Sequence, residues 1–203
     1  MENLKKHKAL IAFTLLYVLA FSLYYVWIKN FEFLWYVAVL LFFIFLIGGT
    51  LHKTKLNPIS LWGLSVWGFL HMAGGGIKIG SGVLYGLVLF PFVQKGEMTI
   101  LKYDQVVHAF GFAVATLVIS ELLAPYSKEK GKMFYFVSAL AGMGLGAINE
   151  IVEFVAVLVF PKTGVGGYYN TALDLVFNAL GAGTMAVILW FLNNKKKQVS
   201  ESF

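Results

Sequence analysis

Residues 103–124 read YDQVVHAFGFAVATLVISELLA. From Val106 to Ala124 the only charged side chains are Glu121 and, when protonated, His108. About 20 mostly apolar residues suffice to cross the hydrocarbon core of a bilayer, so this stretch is expected to be a spanning helix. It nevertheless opens with Asp104 and, four residues on, His108. The octet 104–111, DQVVHAFG, has a counterpart at 174–181, DLVFNALG. Both follow one template: Asp, three residues, His or Asn, Ala, one apolar residue, Gly.

Composition supports the membrane reading for the rest of the chain. Of 203 residues, 59% are hydrophobic and 13% charged, against roughly 25% charged in an ordinary soluble domain. A soluble core has no room for that much apolar surface. The absence of cysteine excludes a disulfide framework and thiolate catalysis. All 16 residues counted as Lys+Arg are lysine, which removes bidentate Arg clamps on phosphate. The formal charge of +6 is spread as lysines between apolar runs, not as the basic face that a nucleic-acid partner requires. Nucleic acid is therefore not expected as a partner, and membrane lipids are.

Six apolar runs are long enough to span: 9–28, 33–51, 59–77, 103–124, 133–160 and 170–192. The third is interrupted by Gly74, Gly75 and Gly76. Residues 79–93 are apolar but short, and are expected as a re-entrant or interfacial segment, tolerable at membrane depth only where protein covers the backbone. The expected fold is an all-α polytopic bundle forming a single transmembrane domain over residues 1–203. The first run reads as an uncleaved helix, because it is long for a signal and lacks a clear small-residue cleavage site. Eleven lysines lie at the N-terminus (Lys5, Lys6, Lys8), in two loops (Lys53, Lys55; Lys128, Lys130, Lys132) and in the tail (Lys195, Lys196, Lys197). Five lie in the alternate connections: Lys29, Lys78, Lys95, Lys102 and Lys162. That bias places both termini in the cytoplasm. Trp27, Trp35, Trp62, Trp67 and Trp190 mostly flank the runs, as interfacial aromatics do.

With this orientation the polar residues collect on the outer side. Asp104 and His108 open the fourth run, and Asp174 and Asn178 lie early in the sixth. Asn149, Glu150 and Glu153 occupy the outer half of the fifth, and His71 the outer end of the third. Helical spacing puts Asp104, His108 and Gly111 on one stripe, and Asp174, Asn178 and Gly181 on another. Gly142, Gly146, Asn149 and Glu153 form a third stripe, and Gly142-x-x-x-Gly146 permits close helix approach. A carboxylate at mid-span costs on the order of 2.5–3.5 kcal/mol. Four such acids have to be protonated, hydrated, paired or bound to metal.

The segments HMAGG (71–75), YDQVVH (103–108), NEIVEF (149–154) and DLVFNALG (174–181) resemble the YjdF-like (DUF2238) inner-membrane proteins, a bacterial and archaeal family of unassigned function. A looser similarity over the last three spans is to the VanZ-like membrane proteins. There the pattern is likewise Asp-x-x-x-His, a Glu on the next helix, then Asp-x-x-x-Asn-x-x-Gly. This chain departs from it in carrying Glu153 where Gln is usual and in lacking the basic residue before the last Asp. The resemblance implies a multi-pass protein of a bacterial or archaeal plasma membrane, and no established reaction.

No HExxH or GxSxG motif is present. Carboxylates with one imidazole suit a divalent ion, Mg, Mn or Zn. The expectation is an outward-facing site in which Asp104, His108, Glu150 and Asp174 hold metal. Glu150 and Glu153 are the candidate catalytic acids, and His71, Asn149 and Asn178 surround the substrate. A metal-dependent enzyme acting on a lipid or lipid-like molecule follows. A proton- or ion-coupled transporter and a non-catalytic binding or assembly protein are the alternatives, with a homo-oligomer open in each case.

Overall fold

The computed structural model describes residues 7–96, 98–161 and 163–201. Lys5, Lys6 and Lys162, used above to orient the chain, lie outside the described residues. The six apolar runs fold as helices: α1 (Lys8–Trp27), α2 (Phe31–Thr54), α3 (Pro58–Gly76), α4 (Tyr103–Leu123), α5 (Lys132–Val159) and α6 (Tyr168–Glu201). Helix α6 runs nine residues past the apolar stretch that ends at 192, because Asn, Lys, Gln and Glu continue a helix in water without needing lipid.

Five of the six helices are long and apolar enough to cross a membrane; α3 is the exception. Its 19 residues are rich in Ser and Gly, and Ser60, Leu61, Ser65, Gly68 and Met72–Gly76 are buried inside the bundle. A helix enclosed by its neighbours needs little lipid-facing apolar surface. The glycine run does not break it. Gly74, Gly75 and Gly76 stay helical, with the rings of Tyr85, Phe33 and Phe21 lying where a Cβ would project.

Helices α4, α5 and α6 pack on one another, α4 against α6 most extensively, and α3 joins this trio to α1 and α2. The hydroxyl of Tyr25 donates to the Met72 carbonyl and ties α1 to α3. At the other end Glu121 on α4 accepts from Ser60 (2.7 Å) and from the Asn57 backbone N–H (3.0 Å). Large apolar side chains such as Leu16, Leu19, Phe45, Phe154 and Leu158 remain exposed along the helices. An apolar belt of this extent requires lipid, and the chain is a multi-pass membrane protein.

The connection from α3 to α4 is the non-helical part of the fold. Residues 78–102 form two antiparallel hairpins, β1 (Lys78–Ile79) with β2 (Gly82–Val83) and β3 (Val88–Lys95) with β4 (Met98–Lys102), separated by a 3-10 turn at Leu84–Gly86. Gly80 and Gly96 take the positive φ values, 57° and 58°, that the turns require. Pro91 lacks a ladder donor, and the register shifts between Val88 and Val93. Strand β3 is exposed along most of its length, so protein does not cover it as a re-entrant segment demands. Trp67 is a smaller correction: it packs over Gly111 and Phe112 inside the bundle, away from the interfacial belt.

Candidate functional site

The start of α4 is anchored before it contributes chemistry. Gln105 accepts from the Lys102 N–H (3.1 Å) and donates to the Thr99 carbonyl (2.9 Å), fastening the helix to β4. Tyr103 donates to the Leu70 carbonyl of α3 at 3.1 Å. Asp104 and His108 then project from the first two turns toward α5 and α6.

Close packing sets the distance across. Gly181 of α6 lies directly against the Ala109 carbonyl of α4, leaving no room for a methyl group. Gly142 faces Thr116 and Ala182, and a Cβ on Gly146 would stand 2.9 Å from Asn178 Cβ. Small residues thus let three helices approach until their polar side chains meet.

His108 is the hub, and it is buried. Its Nδ1 donates to Asn178 Oδ1 at 2.9 Å and lies 3.6 Å from Glu150 Oε1. Its Nε2 lies 3.5 Å from Asp104 Oδ1 and 4.0 Å from Glu153 Oε1. Asn170 bridges the two aspartates, donating to Asp174 Oδ2 at 2.6 Å and to Asp104 Oδ2 at 3.3 Å. Asn149 donates to Glu153 Oε1 at 2.9 Å. Asp174 and Asn178 are fully enclosed, and Glu150 and Glu153 are buried.

The cluster is under-satisfied. Both Glu150 oxygens, Asp174 Oδ1 and Asn178 Nδ2 are buried without a hydrogen-bond partner. Each such atom costs roughly 1–3 kcal/mol, more where it is charged. Around His108 the carboxylates group into two triads, Asp104–His108–Asp174 and His108–Glu150–Glu153, each offering ligand atoms within 4.8 Å of one another. Two ligands about 2.1 Å from one ion, at right or tetrahedral angles, stand roughly 3.0–3.5 Å apart. The Nε2–Asp104 distance of 3.5 Å matches that spacing and exceeds hydrogen-bond length. The Asn178 bond to Nδ1 also selects the tautomer whose Nε2 lone pair faces the acids.

Asp104, His108, Asn149, Glu150, Glu153, Asp174 and Asn178 therefore come together at the end of the bundle that carries the hairpins. His71 makes its hydrogen bond elsewhere. Its Nδ1 is taken by the Tyr85 hydroxyl, and it packs on Tyr36 at 5.4 Å between ring centroids. Burial pushes the Tyr85 phenol well above its usual range, so it keeps its proton for that bond. Asn170 escaped the sequence reading although it stands four residues before Asp174, on the same stripe as Asn178. Two further buried groups, the Tyr36 hydroxyl and Trp35 Nε1, lack partners.

Comparison with known proteins gives a family and no activity. An uncharacterized protein of Thermotoga maritima is 28% identical over 117 residues, 56% of this chain and 60% of that protein's own length. No solved structure matches. The VanZ-like similarity rests on its motif pattern alone. The family described as "Predicted membrane protein (DUF2238)" matches residues 9–195, nearly the whole chain, and this protein belongs to it.

Proposed function

We propose that the chain is a metal-dependent membrane enzyme, set in the plasma membrane with its site toward the outside, that hydrolyses a lipid or lipid-like substrate. The observation that carries this reading is the set of orphaned acids around one histidine: Glu150 and Asp174 present buried oxygens that no protein group satisfies. Asp104, His108 Nε2 and Asp174 are the residues that would hold a divalent ion, Mg, Mn or Zn. A bound ion of this kind acidifies water and polarises an ester or phosphoester oxygen.

The remaining acids then have roles. Glu153 Oε1 lies on the Nε2 side of the ring, placed to take a proton from the attacking water and return it to the leaving group. Asn149 holds that carboxylate in position. Glu150, one turn away on the same face, is the group to which the proton can pass. A substrate held in the bilayer reaches the cluster laterally.

A carrier needs a polar route to the opposite end. Thr116, Ser120 and Ser138 line that direction, yet each hydroxyl bonds a carbonyl of its own helix, at 2.8, 2.7 and 2.9 Å. Their engagement favours a one-sided site.

Metal content of the purified protein tests the reading, with Glu150→Gln and Asp174→Asn alongside. One equivalent in the wild type is expected, with affinity in Asp174→Asn lowered by more than the roughly hundred-fold that loss of an outer partner costs. A wild-type protein that takes up neither Zn nor Mn during titration would overturn it.

A further inference from the structure

A groove of about 520 Å³ opens at the site end of the bundle, where the α1–α2 turn, strand β1 and the end of α5 converge. Lys29, Asn30, Glu32 and Lys78 supply its polar lining, and Phe31 and Phe160 an apolar wall. Its volume falls within the range of roughly 300–1,000 Å³ typical of ligand sites.

The polar groups have defined states. Asn30 Oδ1 accepts from the Phe33 N–H at 3.1 Å as the cap of α2, which leaves its Nδ2 free to donate. Glu32 Oε2 accepts from the Gly164 N–H at 2.8 Å, so that carboxylate is committed to the α5–α6 loop. Lys29 and Lys78 are exposed. Two ammonium groups against one engaged carboxylate leave a net positive groove. Trp27 and Phe31, 79% and 62% exposed, flank it, which sets it at the depth where aromatic belts meet headgroups.

We propose that this groove docks the phosphate of an anionic lipid headgroup, with Lys29 and Lys78 as counter-charges, Asn30 as a donor and Phe31 and Phe160 against the glycerol and upper acyl carbons. The groove lies at the same end of the bundle as the acid cluster, its Phe160 closing the helix that carries Glu150 and Glu153. Tyr36, one turn along α2 from Glu32, packs on His71 at 5.4 Å between ring centroids and carries a buried, unpartnered hydroxyl. A headgroup held here lies at the end of the bundle that holds the site described above. In naming that site's substrate class the proposal rests on the lipid-hydrolase reading, although docking itself needs no metal.

Binding of short-chain phosphatidylglycerol, phosphatidylcholine and inorganic phosphate to the purified full-length protein in EDTA tests it. The variants are Lys29→Gln/Lys78→Gln and, as a control at the opposite end, Lys53→Gln/Lys55→Gln. Phosphatidylglycerol is expected to bind more tightly than the other two ligands. The Lys29/Lys78 variant should lose about thirty-fold, at roughly five-fold per lysine, while the control keeps wild-type affinity. Equal affinity for phosphatidylglycerol and phosphatidylcholine, or equal loss in both variants, would overturn the proposal. Inorganic phosphate binding as tightly as the lipid would make free phosphate the ligand and overturn it too. Zn and Mn titration of the same preparation, without EDTA, separates the two readings: headgroup binding by a protein that takes up neither ion sinks the hydrolase and leaves the groove standing.

Discussion

At the residue scale, Asn178 occupies the decisive position. Its Oδ1 fixes the His108 ring from the side opposite Asp104, so the function assigned to Nε2 depends on a neutral amide one helix away. Asn178→Ala is expected to weaken Mn affinity by about ten- to a hundred-fold while the bundle still folds, as read by paramagnetic resonance titration beside a thermal melt. Unchanged affinity would mean that the ring needs no orientation. Much of this site was legible beforehand, because acids and amides are conspicuous in apolar helices and helical spacing gives their face. What spacing does not give is pairing between helices. The Tyr85–His71 bond joins residues on different elements, and spacing along α3 does not reveal it.

Among the elements, α4 and α6 carry the prediction most easily measured. Gly181 and Gly183 are two residues apart on one helix, but only Gly181 abuts backbone; nothing lies within 4 Å of a Cβ at Gly183. Gly181→Ala should destabilise the protein by about 1–3 kcal/mol, the usual cost of overpacking. Gly183→Ala should be neutral or stabilising by up to about 1 kcal/mol, because alanine is the better helix former. Unfolding in mixed micelles compares the pair, and equal effects would argue against the α4–α6 contact. The β3–β4 hairpin is the element that composition concealed. Its apolar residues are too few for a span, so length alone leaves it as a re-entrant or interfacial segment; the turns at Gly80 and Gly96 mark hairpins, and Pro91 is tolerated because the ladder is irregular there. Phe90 and Phe92 remain exposed, with ring centroids 4.8 Å apart. A spin label at Phe92→Cys is expected to collide with oxygen more than with an aqueous nickel complex, whereas a label at Lys95→Cys should do the opposite. The same aqueous accessibility at both positions would put the hairpin in water.

For the whole molecule, the number and order of the helices followed from apolar run lengths, since lipid thickness sets a length that sequence can meet or miss. The enclosure of α3 did not follow, because a run of Ser and Gly looks weak in isolation and becomes a packing surface only when neighbours supply Phe21, Phe33 and Tyr85. The lysine bias predicts an orientation that cysteine labelling tests directly. The native chain has no thiol, so an introduced cysteine is the sole target for an impermeant maleimide. Ser81→Cys should label in intact cells and Glu129→Cys only after lysis; the reverse pattern would invert the topology and move the site to the cytoplasmic face.

The bridge made by Asn170 has a consequence for biosynthesis. It sits on α6, which leaves the ribosome after α4 and α5, and it joins Asp104 on α4 to Asp174 beside it. Glu150 and Glu153 therefore reach the bilayer before Asn170, Asp174 and Asn178 have been translated. Helix α5 is best released as a pair with α6, its acids shielded against α4 in the meantime. A nascent chain stalled between the two helices would expose unpaired carboxylates to lipid, marking it for the membrane's quality-control proteases.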